Sequence, residues 1–170
     1  MMTSDQTTVL KGAISGIVAM GLSLWLLFHL LPDPETTDLA ARLAYALKWD
    51  AVAALPLFFM LASIGNARFG SEAIDPTLGK ESAKMVVDAK VAANTLEQFA
   101  IFAVATLALA AAVQGDAVKI VGAAAITFVL MRTAFWIGYR IKPIYRAFGF
   151  SSTAYMNLGL LIAAIWFGFA

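Results

Sequence analysis

The fold class of this chain follows from one stretch, MVVDAKVAANTLEQFAIFAVATLALAAAV, at residues 85–113. The stretch is longer than the roughly 20 residues that an α-helix needs to cross the hydrocarbon core of a bilayer. Its charged residues, Asp88, Lys90 and Glu97, all lie in the first half. The remainder is apolar, with no sustained alternation of the kind that marks a β-barrel strand. The stretch therefore predicts a membrane-spanning helix that carries polar groups toward one end.

The composition of the whole chain agrees with a membrane protein. Of 170 residues, 61% are hydrophobic and 14% are charged, whereas a soluble domain has about 25% charged residues. Twelve Lys and Arg against 11 Asp and Glu give a net charge of +1, which argues against disorder and against nucleic-acid binding. The absence of cysteine excludes disulfides, thiolate metal sites and cysteine nucleophiles, and we assign no metal ligands.

Five apolar segments are visible, and they predict an all-α integral membrane helix bundle. They cover about residues 9–31, 51–66, 85–113, 117–140 and 153–170. Short polar links join them, which favours antiparallel neighbours, and Asp116 is a candidate N-cap. Residues 39–47 are expected to form a short helix at the membrane surface.

The first segment is expected to remain part of the mature protein as a transmembrane helix. Its apolar core is longer than that of a typical signal peptide, and its charged leader is weak. Gly12 and Gly16 form a GxxxG pair, which favours close packing against another helix.

The distribution of basic residues predicts the orientation. With five crossings, one side of the membrane holds eight Lys and Arg residues and the other holds three. Because cytoplasmic loops are enriched in basic residues, we expect a cytoplasmic N-terminus, together with the second and fourth links. The eight are Lys11, Arg68, Lys80, Lys84, Lys90, Arg140, Lys142 and Arg146, and the three are Arg42, Lys48 and Lys119.

Two charged residues lie well inside apolar segments: Glu97 in the third and Arg132 in the fourth. An ionisable side chain at such a depth is costly and predicts a functional site or an ion pair. At 1.5 Å per residue, Glu97 lies about 18 Å and Arg132 about 12 Å from the cytoplasmic ends of their helices. The two therefore lie at similar depths, and a purely structural ion pair is the alternative to a binding site.

Helical spacing extends this polar region on both helices. Lys90, Asn94 and Glu97 share one face of the third segment, and Arg132, Phe135 and Tyr139 share one face of the fourth. With Arg68 and Arg146, four cations are expected to converge on the cytoplasmic side. Such a pocket suits a small anionic ligand with carboxylates, while Asn94 and Glu97 are available for its amide or amino groups.

Residues 90–99 (KVAANTLEQF) and 132–139 (RTAFWIGY), followed by Arg146, carry a resemblance to a known family. They are similar to two helices of the MAPEG superfamily, the membrane-associated proteins in eicosanoid and glutathione metabolism. One of those helices carries Arg, then Asn four residues on, then Glu; the later one carries Arg, an aromatic residue and Gly-Tyr. In this chain Lys90 stands where Arg is usual, Phe135 replaces a frequent Tyr, and Gln98 stands where some members have Tyr or Asn.

The resemblance implies a four-helix domain at residues 51–170, preceded by an N-terminal transmembrane helix and surface link at 1–50. It also implies a homotrimer that binds glutathione as co-substrate between subunits near the cytoplasmic face. Arg146 would stabilise the glutathione thiolate and Tyr139 would assist. The other expected binding residues are Arg68, Lys90, Asn94, Glu97 and Arg132, of which Arg132 comes from the pocket argument above.

These expectations favour a glutathione-dependent transferase or peroxidase that acts on a small hydrophobic electrophile arriving through the bilayer. Because a fold does not settle function, a non-catalytic membrane binding or scaffold protein of the same fold is the alternative. A transporter is less favoured, because the polar residues of the third and fourth segments thin out toward the outer side.

Overall fold

The computed structural model describes residues 2–36 and 38–169, and within them the chain forms six α-helices and no β-strand. This confirms the predicted all-α class. The helices are α1 (Ser4–Leu30), α2 (Leu39–Ala53), α3 (Leu55–Phe69), α4 (Ala83–Ala112), α5 (Lys119–Ile141) and α6 (Ala147–Phe169).

Five helical segments in the described part of the chain are long and apolar enough to cross a membrane. Four of them contain α1, α4, α5 and α6, and the fifth is α2 and α3 taken together as Leu39–Phe69. The protein is therefore a multi-pass integral membrane protein, as predicted. The side of the membrane that each link occupies stays a prediction from the charge count.

The second span begins earlier than predicted, because residues 39–47, considered above as a short surface helix, belong to the same apolar segment, Leu39–Phe69. Those residues form the first turns of α2, which packs inside the bundle with Ala46 and Ala53 fully buried. Two of the three charged residues of α2 are buried because partners on α4 bind them, whereas Lys48 is exposed: Arg42 donates to the Ala110 carbonyl, and Asp50 accepts from the Thr106 hydroxyl. A break at Ala54, just before Pro56, separates α2 from α3.

Two other boundaries differ from the sequence prediction, the start of α5 by about two residues and the start of α6 by about six. Asp116 does not cap α5, because it lies in a short 3₁₀ helix, Gly115–Val118, and α5 starts at Lys119 without a side-chain cap. The last helix begins at Ala147, ahead of Ser151. It follows directly on a 3₁₀ helix, Pro143–Arg146, which replaces the polar loop expected there.

The core of the bundle lies between α4, α5 and α6. Phe102 of α4 and Phe128 of α5 are both fully buried, and their ring centroids are 4.7 Å apart. Met156 and Leu160 of α6 complete this apolar cluster. Large buried aromatic rings of this kind contribute much of the packing energy of a core, so these three helices form the rigid frame on which the polar residues are held.

Helix α1 lies on the outside of this frame and packs mainly against α6. The predicted GxxxG pair makes the contact: a methyl group on Gly16 would lie 2.2 Å from the Phe148 carbonyl oxygen, and one on Gly12 would lie 3.3 Å from Ala147 Cβ. Further along, Ser23 of α1 and Thr127 of α5 share a 2.8 Å hydrogen bond. These contacts hold the start of α1 beside the start of α6. The links before α4 and after α5 lie at the same end of the bundle.

Candidate functional site

A cavity of about 590 Å³ opens at this end of the bundle. Its volume lies in the range of small-molecule sites in proteins. Four of the predicted site residues line it: Lys90 and Asn94 from α4, Tyr139 from α5, and Arg146 from the 3₁₀ helix that follows α5. The remaining wall is largely apolar and is formed by Val9, Pro143, Ile144, Ala147 and Phe150, together with Ser151.

Arg146 and Tyr139 form the most direct contact in the cavity. A guanidinium NH of Arg146 donates to the Tyr139 hydroxyl at 3.2 Å, and the guanidinium carbon lies 5.5 Å from the centre of the Tyr139 ring. The short 3₁₀ helix turns the chain back so that residue 146 faces residue 139. Gly138 permits this turn, because a side chain there would lie 2.9 Å from the Tyr145 carbonyl oxygen.

The cavity is positively charged and lacks an internal counterion. Among the described residues, neither Lys90 nor Arg146 has a carboxylate within salt-bridge distance, and both side chains are exposed. Two cations facing one recess attract an anion, and a guanidinium binds carboxylates in particular. No group of three His, Asp or Glu side chains within residues 2–36 and 38–169 could hold a metal ion.

Arg132 lies behind the cavity and is completely buried. It donates to the Asn94 side-chain oxygen at 2.8 Å and to the Thr153 hydroxyl at 2.9 Å, and its guanidinium stacks 4.0 Å from the Phe135 ring centre. The structure therefore assigns Arg132 a different position from the one predicted: it orients Asn94, which lines the cavity, while Arg132 itself does not reach the cavity.

Glu97 and Arg132 do not form the direct ion pair that the sequence left open as the alternative to a binding site. Within the part of the chain that the structure describes, no carboxylate approaches Arg132 to 4.0 Å. Asn94 stands between them, accepting from Arg132 and donating its amide NH₂ to a Glu97 carboxylate oxygen at 3.3 Å. Asn94 thus links the two charged side chains, but Glu97 is exposed on α4 and does not line the cavity.

Arg68 occupies a different groove, so the four predicted cations do not converge. Its guanidinium pairs with Glu81 at 3.3 Å, and it faces a groove of about 340 Å³ between α3 and α4. Lys90 and Arg146 share the cavity described above. The sequence predicts that all four lie on one side of the membrane, but the groove that each of them faces depends on how the helices pack.

Sequence analysis missed a second charged contact at the same end of α5. Asp88 is buried, and its two carboxylate oxygens accept from Nε and Nη2 of Arg140 at 2.7 and 2.6 Å. The Trp136 indole NH also donates to this carboxylate, at 2.9 Å. Arg140 also donates to the Ser63 hydroxyl at 3.2 Å. The available signal was Asp88 itself, a carboxylate within the apolar stretch and two residues before Lys90.

Buried polar contacts also occur deeper in the bundle, where sequence analysis expected few. Asn157 of α6 donates to the backbone and side-chain oxygens of Gln98 at 2.9 and 3.0 Å. Thr106 donates to Asp50 at 2.8 Å. Both contacts join helices directly, as interhelical hydrogen bonds do in membrane proteins, and neither involves a residue that lines the cavity.

Comparison with known families places this geometry in context. The family model described as MAPEG family matches residues 46–166. The chain belongs to the MAPEG family. This confirms the resemblance carried by Lys90, Asn94, Glu97 and the segment after Arg132. No curated protein and no solved structure gives a match to the chain.

The match covers the part of this MAPEG protein that carries most of the cavity. It runs from within α2 to near the end of α6 and leaves α1 outside. Helix α1 nevertheless contributes Val9 to the cavity wall. The division of the chain after residue 50, predicted from the resemblance, falls inside α2.

Proposed function

We propose that this protein is a membrane-bound, glutathione-dependent transferase or peroxidase, and that glutathione binds in the cavity lined by Lys90, Asn94, Tyr139 and Arg146. The MAPEG family includes glutathione-dependent transferases and peroxidases. The observation that carries the proposal is the Arg146–Tyr139 contact, which faces the same recess as Lys90.

The charges of glutathione fit the groups that line this cavity. The tripeptide carries two carboxylates, one ammonium group and two peptide amides. Lys90 offers a point charge to a carboxylate, and Asn94, held by Arg132 at 2.8 Å, offers an oriented amide. A polar group fixed by a buried partner loses less conformational entropy when it binds a ligand.

Arg146 would activate the thiol. A free thiol has a pKa of about 8.5 and needs nearby positive charge to ionise at neutral pH. The exposed guanidinium of Arg146, with no carboxylate to neutralise it among the described residues, supplies that charge, and the Tyr139 hydroxyl is available to donate a hydrogen bond to sulfur. The thiolate would then attack the electrophilic carbon of a halide, releasing the halide ion, or of an epoxide, whose C–O bond opens to an alkoxide that takes a proton from water. With a lipid hydroperoxide it would attack the terminal oxygen, breaking the O–O bond to give an alcohol and a glutathione sulfenic acid, which a second glutathione converts to the disulfide and water.

Glu97 and Arg68 would act in the assembled protein. Glu97 is exposed on α4, and Arg68 of α3 lines the groove between α3 and α4. A carboxylate that faces lipid at the depth of Glu97 would be costly. A second copy of the chain on this face would cover it, in keeping with the homotrimer that the resemblance implies. The basic side, which carries the cavity, is expected to be cytoplasmic.

The test compares Arg146→Ala with the wild type in detergent micelles, using calorimetry for glutathione affinity and ultraviolet absorbance for bound thiolate. We expect Arg146→Ala to abolish most of the thiolate signal while changing affinity by less than about tenfold, because other groups hold the carboxylates. Lys142→Ala is the matched control, since this nearby exposed cation does not line the cavity. Equal thiolate in Arg146→Ala and wild type would remove Arg146 from the mechanism.

The alternative is a non-catalytic binding or scaffold protein of the same fold. Conjugation of glutathione to a generic aromatic electrophile by the purified protein separates the two. Glutathione binding without turnover would favour the alternative, whereas turnover that depends on Arg146 supports the enzyme.

A further inference from the structure

Helix α1 lies outside the segment that matches the family, yet it forms one side of the cavity. Val9, in the second turn of α1, lines the recess together with Ile144 and Phe150. These three apolar side chains come from three different elements: α1, the 3₁₀ helix Pro143–Arg146, and α6. Ile144 and Arg146 both belong to the 3₁₀ helix, so this short helix supplies part of the apolar wall and also the proposed thiolate-stabilising group.

The position of Val9 is fixed by contacts close to it. Gly12, three residues further along, lies on the same face of α1 and packs against Ala147, which itself lines the cavity. Gly16 brings the α1 backbone against the Phe148 carbonyl, where a side chain would be only 2.2 Å away. A capping box between Thr3 and Gln6 orders the first turn. Helix α1 is therefore a fixed wall, and displacing Val9 would require these contacts to break.

We propose that Val9 is a specificity-determining residue that limits the size of the apolar co-substrate reaching Arg146. This inference rests on the proposed function and deepens it. The cations bind the anionic thiol, and the electrophile must then approach the sulfur along the remaining, apolar side of the cavity. Val9 lies at the α1 edge of this apolar wall. A larger side chain at position 9 would therefore reduce the room for the electrophile, and a smaller one would increase it.

The first experiment measures access directly and does not depend on glutathione. The chain has no cysteine, so Ser151→Cys places a single thiol in the cavity wall. Its labelling rate is measured in detergent with a small reagent, methyl methanethiosulfonate, and a bulky one, pyrene maleimide. In this background Val9→Ala and Val9→Trp are compared with Leu10→Ala and Leu10→Trp, because Leu10 is a similarly exposed neighbour on α1 that does not line the cavity.

We expect Val9→Ala to speed and Val9→Trp to slow the bulky reagent, with the small reagent changed less than about twofold and both Leu10 variants equal to the parent. The proposal would be overturned if the Val9 and Leu10 variants changed the labelling rates equally, or if both reagents changed by the same factor. It would also be overturned if even the small reagent did not label the thiol.

The second experiment measures turnover with a small and a bulky aromatic electrophile. At saturating glutathione, Val9→Trp should lower kcat/KM for the bulky electrophile at least about tenfold more than for the small one. A wild-type protein that binds no glutathione would refute the proposed function, while size-dependent labelling would still support the wall formed by Val9. Unchanged electrophile preference in an active enzyme would refute the role of Val9 alone.

Discussion

Two arginines near the end of α5, Arg140 and Arg146, differ in whether the protein supplies them with a carboxylate. On one side, Arg140 is closed off by the buried carboxylate of Asp88, with Trp136 stacked 4.5 Å from the guanidinium. On the other, the polar side-chain partner of Arg146 among the described residues is the uncharged Tyr139, and Arg146 shares an open cavity with Lys90. A cation that the protein has already neutralised holds helices together, whereas a cation left without a carboxylate is available to a ligand. The position of a nearby acid thus separates the structural arginine from the binding one.

The largest effect on this contrast is expected from Asp88→Ala. Removing the carboxylate leaves the partly buried Arg140 with only the Ser63 hydroxyl as acceptor among the described residues and the Trp136 NH with none. The variant should therefore lose about 3 kcal/mol of unfolding free energy in detergent micelles. This is the low end for a broken buried pair, because the Arg140 side chain keeps 32% of its exposure.

Glu72→Ala is the control for that measurement, since Glu72 pairs with Lys80 on the surface with 84% of its side chain exposed. It should change the unfolding free energy by less than about 1 kcal/mol. If the Asp88 and Glu72 variants lose the same stability, then Arg140 is not held by Asp88 in the way the distances indicate.

A smaller effect, on binding alone, is expected from Lys90→Ala. The loss of one charge-assisted hydrogen bond should weaken glutathione affinity about tenfold, as measured by calorimetry. Unfolding should be unaffected, because Lys90 makes no ion pair among the described residues. Lys84→Ala, on the same helix but outside the cavity, should leave the affinity unchanged. A comparable loss in both variants would point to general surface charge.

The smallest effect is expected from Arg132→Met, which replaces a buried charge by an apolar side chain of similar length. Stability should change by no more than about 1 kcal/mol, because the desolvation cost of the guanidinium disappears with its hydrogen bonds. Glutathione affinity should fall about fivefold, since Asn94 loses its anchor. An unfolded variant, or an unchanged affinity, would make Arg132 a purely structural residue.

Much of the fold could be predicted from hydrophobic length, because the bilayer requires a long apolar helix whatever the tertiary contacts are. The segment at residues 85–113 agrees with α4 to within two residues at each end. The predicted start of the second span, residue 51, was too late, because α2 begins at Leu39 and includes the buried Arg42 and Asp50. Their partners, the Ala110 carbonyl and Thr106, lie more than 50 residues away in the sequence, so no local pattern could reveal them.

The candidate site was predicted in part. Spacing on α4 and α5 brought Lys90, Asn94 and Tyr139 to one end of the bundle, and the structure places these three with Arg146 around one cavity. It separates Arg68 from them and puts Asn94 between Glu97 and Arg132. The 3.6-residue repeat of an α-helix predicts which residues share a face. Which neighbouring helix that face contacts depends on how the helices pack.

The amino-acid sequence by itself determined that this protein is a helical membrane protein of the MAPEG type, and which end of the bundle would be charged. Both depend on local properties: the number of apolar residues in a row and the spacing of a few polar ones. Only the tertiary structure decided that Asp88 neutralises Arg140 and leaves Arg146 available, and that α1 brings Val9 to the cavity. Those outcomes depend on distances between helices, which are set by close contacts such as Gly16 against Phe148 and by the three-dimensional pairing of charges.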